Sequence, residues 1–244
     1  MGLETQKSTT REALLERYHT VNRRNAGLDS RSRRMMFKSF ARTLGPWLPL
    51  DKDALILDVA CGEGALLAFL RDRGYTDLSG FDLSPENVAI CQQRGLVFVR
   101  QYNALCLSDF QPSDEVDAIF CLDLIEHLEK EHAVPFLRQA YSRLKQGGAL
   151  VLQTPNMGSV VGLFHRYNDL THEFALTEDS LLSLLLTAGF PLDGITIRPA
   201  WNATTILGYV REAYLRMLHL AVYLSEGRSR PRVPTKNLLA RGVK

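Results

Sequence analysis

The densest set of chemically capable residues is the turn Asp58-Val59-Ala60-Cys61-Gly62-Glu63-Gly64. It follows a short apolar run and opens a helical stretch. Small residues let a backbone approach a ligand closely, and the first N–H groups of a helix have no partner inside the helix. Eighteen residues beyond Gly64, Asp82 ends a second apolar run, where a carboxylate can bind both hydroxyls of a ribose. A dinucleotide fits poorly. The G-x-G-x-x-G pattern fails because Gly62-Glu63-Gly64 is followed by Ala65, Leu66 and Leu67, and Asp58 would repel a pyrophosphate. A cationic ligand suits Asp58 better. Two further groups stand out. Asp123-x-x-Glu126-His127 places three ligand-type side chains at i, i+3 and i+4, on one face of a helical turn. The run from His165 to Glu173 gathers His165, Arg166, Asp169 and His172.

These residues must be held by an alternating chain of strands and helices. Residues 54–60, 78–83, 97–101, 116–121 and 149–154 are short apolar runs that read as strands. Helices are expected over 65–73, from Ser84-Pro85-Glu86 with Ser as N-cap and Pro at the first helical position, and over 132–144, with a turn at Gln146-Gly147-Gly148. Nearly continuous apolar strands separated by helices predict a doubly wound, mainly parallel α/β sheet covered on both faces. Residues 11–24 and 31–44 read as two polar-rich helices, so 1–50 is expected to be a helical cap, 51–154 the ligand-binding core, and 155–244 the remainder of the same domain. Within that remainder, 155–176 is a long polar and aromatic loop, and loops of that length are usually functional. Thr177 caps a helix that ends at Gly189, 194–198 is a strand, and 237–243 a last strand. Residues 204–225 form an amphipathic helix, with Leu207, Val210, Tyr214, Leu218 and Ala221 on one face.

In this order and spacing, residues 54–154 resemble the core of a class I S-adenosylmethionine-dependent methyltransferase, a seven-stranded Rossmann-like fold with a helical insertion before the last strand. Ala60 replaces the first glycine of that family's D-x-G-x-G-x-G turn. The stretch Val116–Leu128 and the turn Leu144–Gly148 match its later motifs. The resemblance implies S-adenosylmethionine as cofactor and S-adenosylhomocysteine as product. It places the turn from Asp58 through Ala60, Cys61, Gly62 and Gly64 at the methionine portion, Asp82 at the ribose, Leu83 on the adenine, Asn103-Ala104 by the adenine amino group, and the Leu122 backbone at the methionine end. A hydroxyl acceptor needs a base beside the cofactor. His172 is the expected base, supported by Asp169, with Arg166 neutralising an anionic acceptor. Asp123, Glu126 and His127 match a divalent-ion set in the branch that O-methylates ubiquinone precursors, although many members use the Glu-His pair for packing, so no metal is expected. The segment from Thr154 to Phe190 is similar to bacterial methyltransferases of surface-glycan and lipopolysaccharide synthesis. That similarity suggests a sugar or glycan hydroxyl as acceptor, in polysaccharide biosynthesis. The alternatives are a small natural product or quinone precursor, or a cofactor-binding module without catalysis.

The charge distribution bears on the acceptor. The net charge is +2, but residues 1–50 hold 10 Lys/Arg against 4 Asp/Glu, 51–210 hold 11 against 21, and 211–244 hold 8 against 2. The acidic middle suits a cationic cofactor. The basic ends, including Arg228, Arg230 and Arg232, are expected near the substrate mouth, where they could meet an anionic acceptor or a membrane surface. Nucleic acid is not expected, because stacking aromatics are not interleaved with those charges and Leu122-Asp123-Leu124 stands where base methyltransferases carry Asn/Asp-Pro-Pro-aromatic. The N-terminal stretch has no apolar run of signal-peptide length. Cys61, Cys91, Cys106 and Cys121 lie far apart without a C-x-x-C pair, which reads as free thiols of a cytoplasmic protein, at most at the inner face of the membrane.

Overall fold

The computed structural model describes Leu14 and residues 30–111, 115–225, 227 and 232–244. Apart from Leu14, the helix expected over 11–24 lies outside the described residues, as do Arg228 and Arg230. The sheet is built from β1 (Ile56–Val59), β2 (Leu78–Asp82), β3 (Arg100–Gln101), β4 (Val116–Leu122), β5 (Leu144–Pro155), β6 (Ile195–Pro199) and β7 (Asn237–Val243). Their order is β3-β2-β1-β4-β5-β7-β6. The first five are parallel, and β7 inserts antiparallel between β5 and β6. The helices are α1 (Ser30–Thr43), α2 (Ala65–Asp72), α3 (Pro85–Gln93), α4 (Lys130–Arg143), α5 (Gly162–Tyr167), α6 (Glu178–Ala188) and α7 (Ile206–Ser225).

Alternation along the strands explains the two covered faces. Ile56, Phe120 and Val151 pack with Leu66, Phe69 and Leu70 of α2 on one side. Leu57, Ile119 and Leu152 pack with Phe136 and Leu137 of α4 and Leu181 and Leu185 of α6 on the other. Side chains of successive residues point to opposite faces, so a strand buried on both sides must be apolar throughout. The order reverses between β1 and β4. At such a point the loops beyond the carboxyl ends of the strands leave a crevice, and Asp58, Asp82 and Asp123 stand at or just past those ends.

Three expectations change. The strand expected over 97–101 shrinks to Arg100–Gln101, because Val99 N–H turns back to the Leu96 carbonyl and only two registers with β2 remain. Gln146-Gly147-Gly148 does not precede β5 but bulges within it. Pairing advances from Val116 with Leu144 to Ala118 with Ala149, and Gly147 takes a φ of +80°. The apolar side of the 204–225 helix, finally, faces out: among the described residues of α7, His219 alone is fully buried.

Candidate active site

The turn after β1 is built on positive-φ residues. Gly62 has a φ of +55° and Gly64 of +73°. Ala60, in the family's first glycine position, sits at +56°. A side chain in that region costs roughly 1–2 kcal/mol, so the replacement is a strained one. A Cβ on Gly64 would lie 2.4 Å from Leu96 Cδ1 and 2.9 Å from Cys91 Sγ, whereas one on Gly62 would meet nothing within 4 Å. Gly64 thus packs tightly inward, while Gly62 faces open space. Arg94 clamps the turn from behind, donating to the Glu63 carbonyl at 2.9 Å and to its carboxylate at 2.6 Å. The Cys61 thiol is pushed well up by its hydrogen bond with Cys91 and by burial, so it stays protonated and unreactive.

Two carboxylates flank this turn. Asp82 ends β2 and accepts from Gly62 N–H at 2.8 Å, Ser84 N–H at 2.9 Å and Asn87 Nδ2 at 3.0 Å. Burial raises its pKa, and those three donors counter the rise. A carboxylate has about four acceptor sites, so roughly one remains, on the oxygen that only Gly62 occupies. Asp58 is 2% exposed, and its Oδ2 has no partner among the described residues. Burial, and then repulsion from Asp82, pushes its carboxyl well above the ordinary range. An orphaned buried acid beside an open glycine turn fits a cationic ligand, since such a ligand supplies the missing partner. Leu83 exposes its side chain next to Asp82. Asn103 Oδ1 caps the following 3-10 turn by accepting from Leu105 N–H at 3.0 Å, and Ala104 is buried beneath it. Leu122 closes β4 opposite Gln153.

The segment after β5 is folded back over the carboxyl ends of β4 and β5. Asn156 donates to the carbonyls of Val233 and Thr235, and Met157 N–H bonds the Leu176 carbonyl. Glu173 N–H reaches the Glu126 carbonyl at 2.8 Å, which lays residues 171–173 along the 3-10 turn Ile125–His127. The rings of His127 and His172 then meet edge-on, 4.7 Å between centroids. His172 Nδ1 lies 3.1 Å from the His165 carbonyl, which can only accept, so Nδ1 is the donor there, and in the neutral ring the lone pair falls on Nε2. Thr171 Oγ1 lies 2.6 Å from Asp169 Oδ1 and donates to it. It must therefore accept from His127 Nδ1 at 2.8 Å. The Asp169 carboxylate thus orients His127 through Thr171, and it is the Asp169 backbone carbonyl that accepts from His172 N–H, at 3.3 Å, where the sequence suggested support from the side chain. Arg166 donates to the His172 and Glu173 carbonyls at 2.6 and 2.8 Å. Its guanidinium holds the loop's shape, in place of the expected grip on an anionic acceptor.

The metal-type residues separate. Glu126, His127 and His172 bring one ligand atom each within 4.8 Å of one another. Asp123, with a φ of +57°, instead accepts from Gln153 Nε2 at 2.9 Å. Burial, then the Asp123 charge, pushes the Glu126 carboxyl well up, and Thr154 Oγ1 donates to it at 3.0 Å. A divalent ion could use two imidazoles and a carboxylate, but it would have to displace the proton that burial favours on Glu126.

Comparison with known proteins identifies the family and the fold. The family described as "Methyltransferase domain" matches residues 28–193. The chain belongs to that family. Its core is therefore a methyltransferase domain. Among relatives, a ubiquinone biosynthesis O-methyltransferase of Pseudomonas entomophila is 32% identical over 106 residues, covering 41% of this chain and 44% of that protein. One of Pseudomonas fluorescens is 31% identical over 114 residues, covering 45% and 47%. The matches span less than half the length of either relative. None of these names is a glycan methyltransferase. Among solved structures, a SAM-dependent methyltransferase from Archaeoglobus fulgidus superposes with a TM-score of 0.65 at 20% identity, covering 86% of this chain and 94% of that one. Another from Mesorhizobium loti gives 0.58 at 17%, covering 84% and 98%. These likenesses establish the fold.

Residue types alone did not reveal Asn87, Arg94 and Thr171, which hold Asp82, the turn and His127 in place. Asn87 was accessible in principle, three residues beyond the Ser84 cap. Arg94 and Thr171 act across 31 and 44 residues, with no local signal.

Proposed function

We propose that the protein transfers a methyl group from S-adenosylmethionine to a hydroxyl of a small acceptor of the quinone-precursor class, with His172 as the proton acceptor. The observation that carries this reading is the fixed His172 tautomer. Its Nδ1–H is held by the His165 carbonyl, which leaves Nε2 as a base at the carboxyl ends of β4 and β5. When bound, the cofactor supplies a methyl group on a sulfonium, which needs alignment and desolvation rather than activation. Gly62 and Gly64 give backbone access to its methionine portion, Asp58 answers its positive charge, and Asp82 takes a ribose hydroxyl at its remaining site. Leu83 covers the adenine, Asn103 and Ala104 border it, and Leu122 offers its backbone. Asp169, Thr171 and His127 form a relay that fixes the floor under His172, and Arg166 locks that loop.

Two points favour a small acceptor over a sugar. The named relatives act in ubiquinone biosynthesis. The loop that carries His172 exposes Leu163, Phe164, Tyr167 and Leu170, and its arginine is committed to backbone carbonyls. Methyl-labelled cofactor incubated with dihydroxyphenyl quinone precursors, with nucleotide- and lipid-linked sugars, and with neither, tests the reading. Label in the phenols is expected. Label in the sugars alone moves the acceptor to the glycan class, and bound cofactor without transfer in any arm removes both. With the labelled acceptor in hand, His172→Ala is expected to lower kcat by about 10²–10⁴-fold with cofactor binding intact. Near-normal turnover would sink the assignment of the base.

A further inference from the structure

α7 presents water with the wrong side chains. At 3.6 residues per turn, Glu212, Leu215, His219 and Tyr223 share the side turned to the protein, where His219 is buried. Ile206, Val210, Met217 and Leu224 fall on the opposite side and are 86%, 59%, 64% and 67% exposed. Ala213 and Ala221 lie between them. This outward half carries no charge along the helix. Arg211 and Arg216 stand at its two edges, and Arg216 lies 4.4 Å over the Trp201 ring. The one acid of the helix, Glu212, is held by Arg42 at 2.8 and 2.9 Å. The chain continues with arginines at 228, 230 and 232, of which Arg232 is described. No described helix is long and apolar enough to cross a membrane.

We propose that the outward face of α7 docks on an anionic lipid bilayer, lying in the plane of the interface with its apolar side in the headgroup and acyl boundary. A charge-free apolar half, basic edges and no free acid are the features that bind such a surface. Charge decides against a second copy. Two α7 helices packed face to face would bring four arginines together with no free carboxylate of either helix to meet them, whereas anionic headgroups supply the opposing charge. The contact would also serve the site. Tyr223 Oη donates to the Gly158 carbonyl at 3.0 Å, tying the last turns of α7 to the segment that leads to His172. The exposed Leu163, Phe164, Tyr167 and Leu170 follow in that segment. A lipid-soluble acceptor would then reach the enzyme from the bilayer. The docking itself does not depend on the acceptor's identity.

Cosedimentation of the full chain with phosphatidylcholine vesicles, with and without phosphatidylglycerol, tests the proposal. Binding is expected only to the phosphatidylglycerol vesicles and is expected to weaken in high salt. Arg211→Gln should weaken it about fivefold, the equivalent of one basic residue near the surface. Val210→Glu with Met217→Glu should lower it at least about tenfold, with the circular dichroism and melting of the free protein unchanged. Absent sedimentation, or sedimentation that survives the double substitution, overturns the proposal. So does a dimer in light scattering that the double substitution dissociates, which would assign the face to a second copy. A photo-crosslinker at position 217 that captures residues 1–29 of the same chain would assign it to that segment and equally overturn it.

Discussion

The cofactor turn contains three left-handed positions that the same kind of substitution should affect in three different ways. Gly62→Ala adds a Cβ at a φ of +55° with nothing within 4 Å. Its expected cost to folding is the backbone strain alone, about 1–2 kcal/mol. Its new methyl enters the space where the ligand must approach, so it should also weaken cofactor binding. Gly64→Ala carries the same strain at +73° and drives its Cβ to 2.4 Å from Leu96 Cδ1, inside a cluster where Leu96 is fully buried. Overpacking of a filled core adds about 1–3 kcal/mol, for a total of about 2–5 kcal/mol. Ala60→Gly runs the other way. It relieves strain at +56° and restores some chain entropy to the unfolded state, for a net gain of about 0.5–1 kcal/mol. Urea unfolding of the free protein gives the three stabilities, and calorimetry with S-adenosylhomocysteine gives the affinities. The expected stability order is Ala60→Gly, the parent, Gly62→Ala, then Gly64→Ala, with Gly62→Ala losing more affinity than its stability loss explains. Gly64→Ala no less stable than Gly62→Ala would refute the packing argument. Unchanged affinity in Gly62→Ala would refute the assignment of the open side to the cofactor.

Three further outcomes follow from the buried acids and the α1–α7 tie. The Asp58 carboxyl is held above its ordinary range, so the free protein binds more protons than its unfolded chain and loses stability as pH rises through the raised value. Asp58→Asn should flatten that loss and stabilise the free protein at neutral pH, yet weaken cofactor affinity about 10–100-fold, as removal of a charged partner does; equal or tighter binding refutes the charge pairing. Burial, and then the Asp123 charge, pushes the Glu126 carboxyl well up, so Glu126→Gln should retain stability and turnover, and chelators should leave activity unchanged. Loss in both tests, with recovery on added magnesium, would make Glu126, His127 and His172 metal ligands. Burial works against the Glu212 charge, but the hydrogen bonds from Arg42 and from Ala203 N–H overcome it and hold the carboxyl below its ordinary range. Stability from that pair is present above the ordinary glutamate range and lost as pH falls through the lowered value. Arg42→Ala should cost about 1–2 kcal/mol, given the pair's partial exposure, and remove that acid-side dependence in unfolding measured across pH.

What the sequence determined by itself is what neighbouring residues decide among themselves. Continuous apolar runs made strands buried on both faces. The Ser84 and Thr177 hydroxyls capped helices by accepting from the N–H three residues on, and Gly189 closed α6 at a φ of +113°. The turn from Asp58 to Gly64 and the acid at the end of β2 were legible for the same reason, because a sharp turn needs small residues and a strand end exposes its last side chain. The basic termini were legible only as charge. The fold decided that Arg42 ties α1 to α7, and that Arg33 pairs with Asp72 at the end of α2 away from the cofactor turn. Arg228 and Arg230 of the basic tail lie outside the described residues, and Arg232 lies 3.9 Å from the Glu178 carboxylate. The acceptor side was decided wholly by tertiary structure. Asp169 and His172 are three residues apart, close enough to suggest a pair, yet hydrogen bonds from the loop to Glu126 and His127 turn their side chains to different partners. The outward face of α7 was settled in the same way. Its periodicity fixes which side chains lie together, but only the packed sheet determines which side of the helix meets the protein and which is left to the solvent or a membrane.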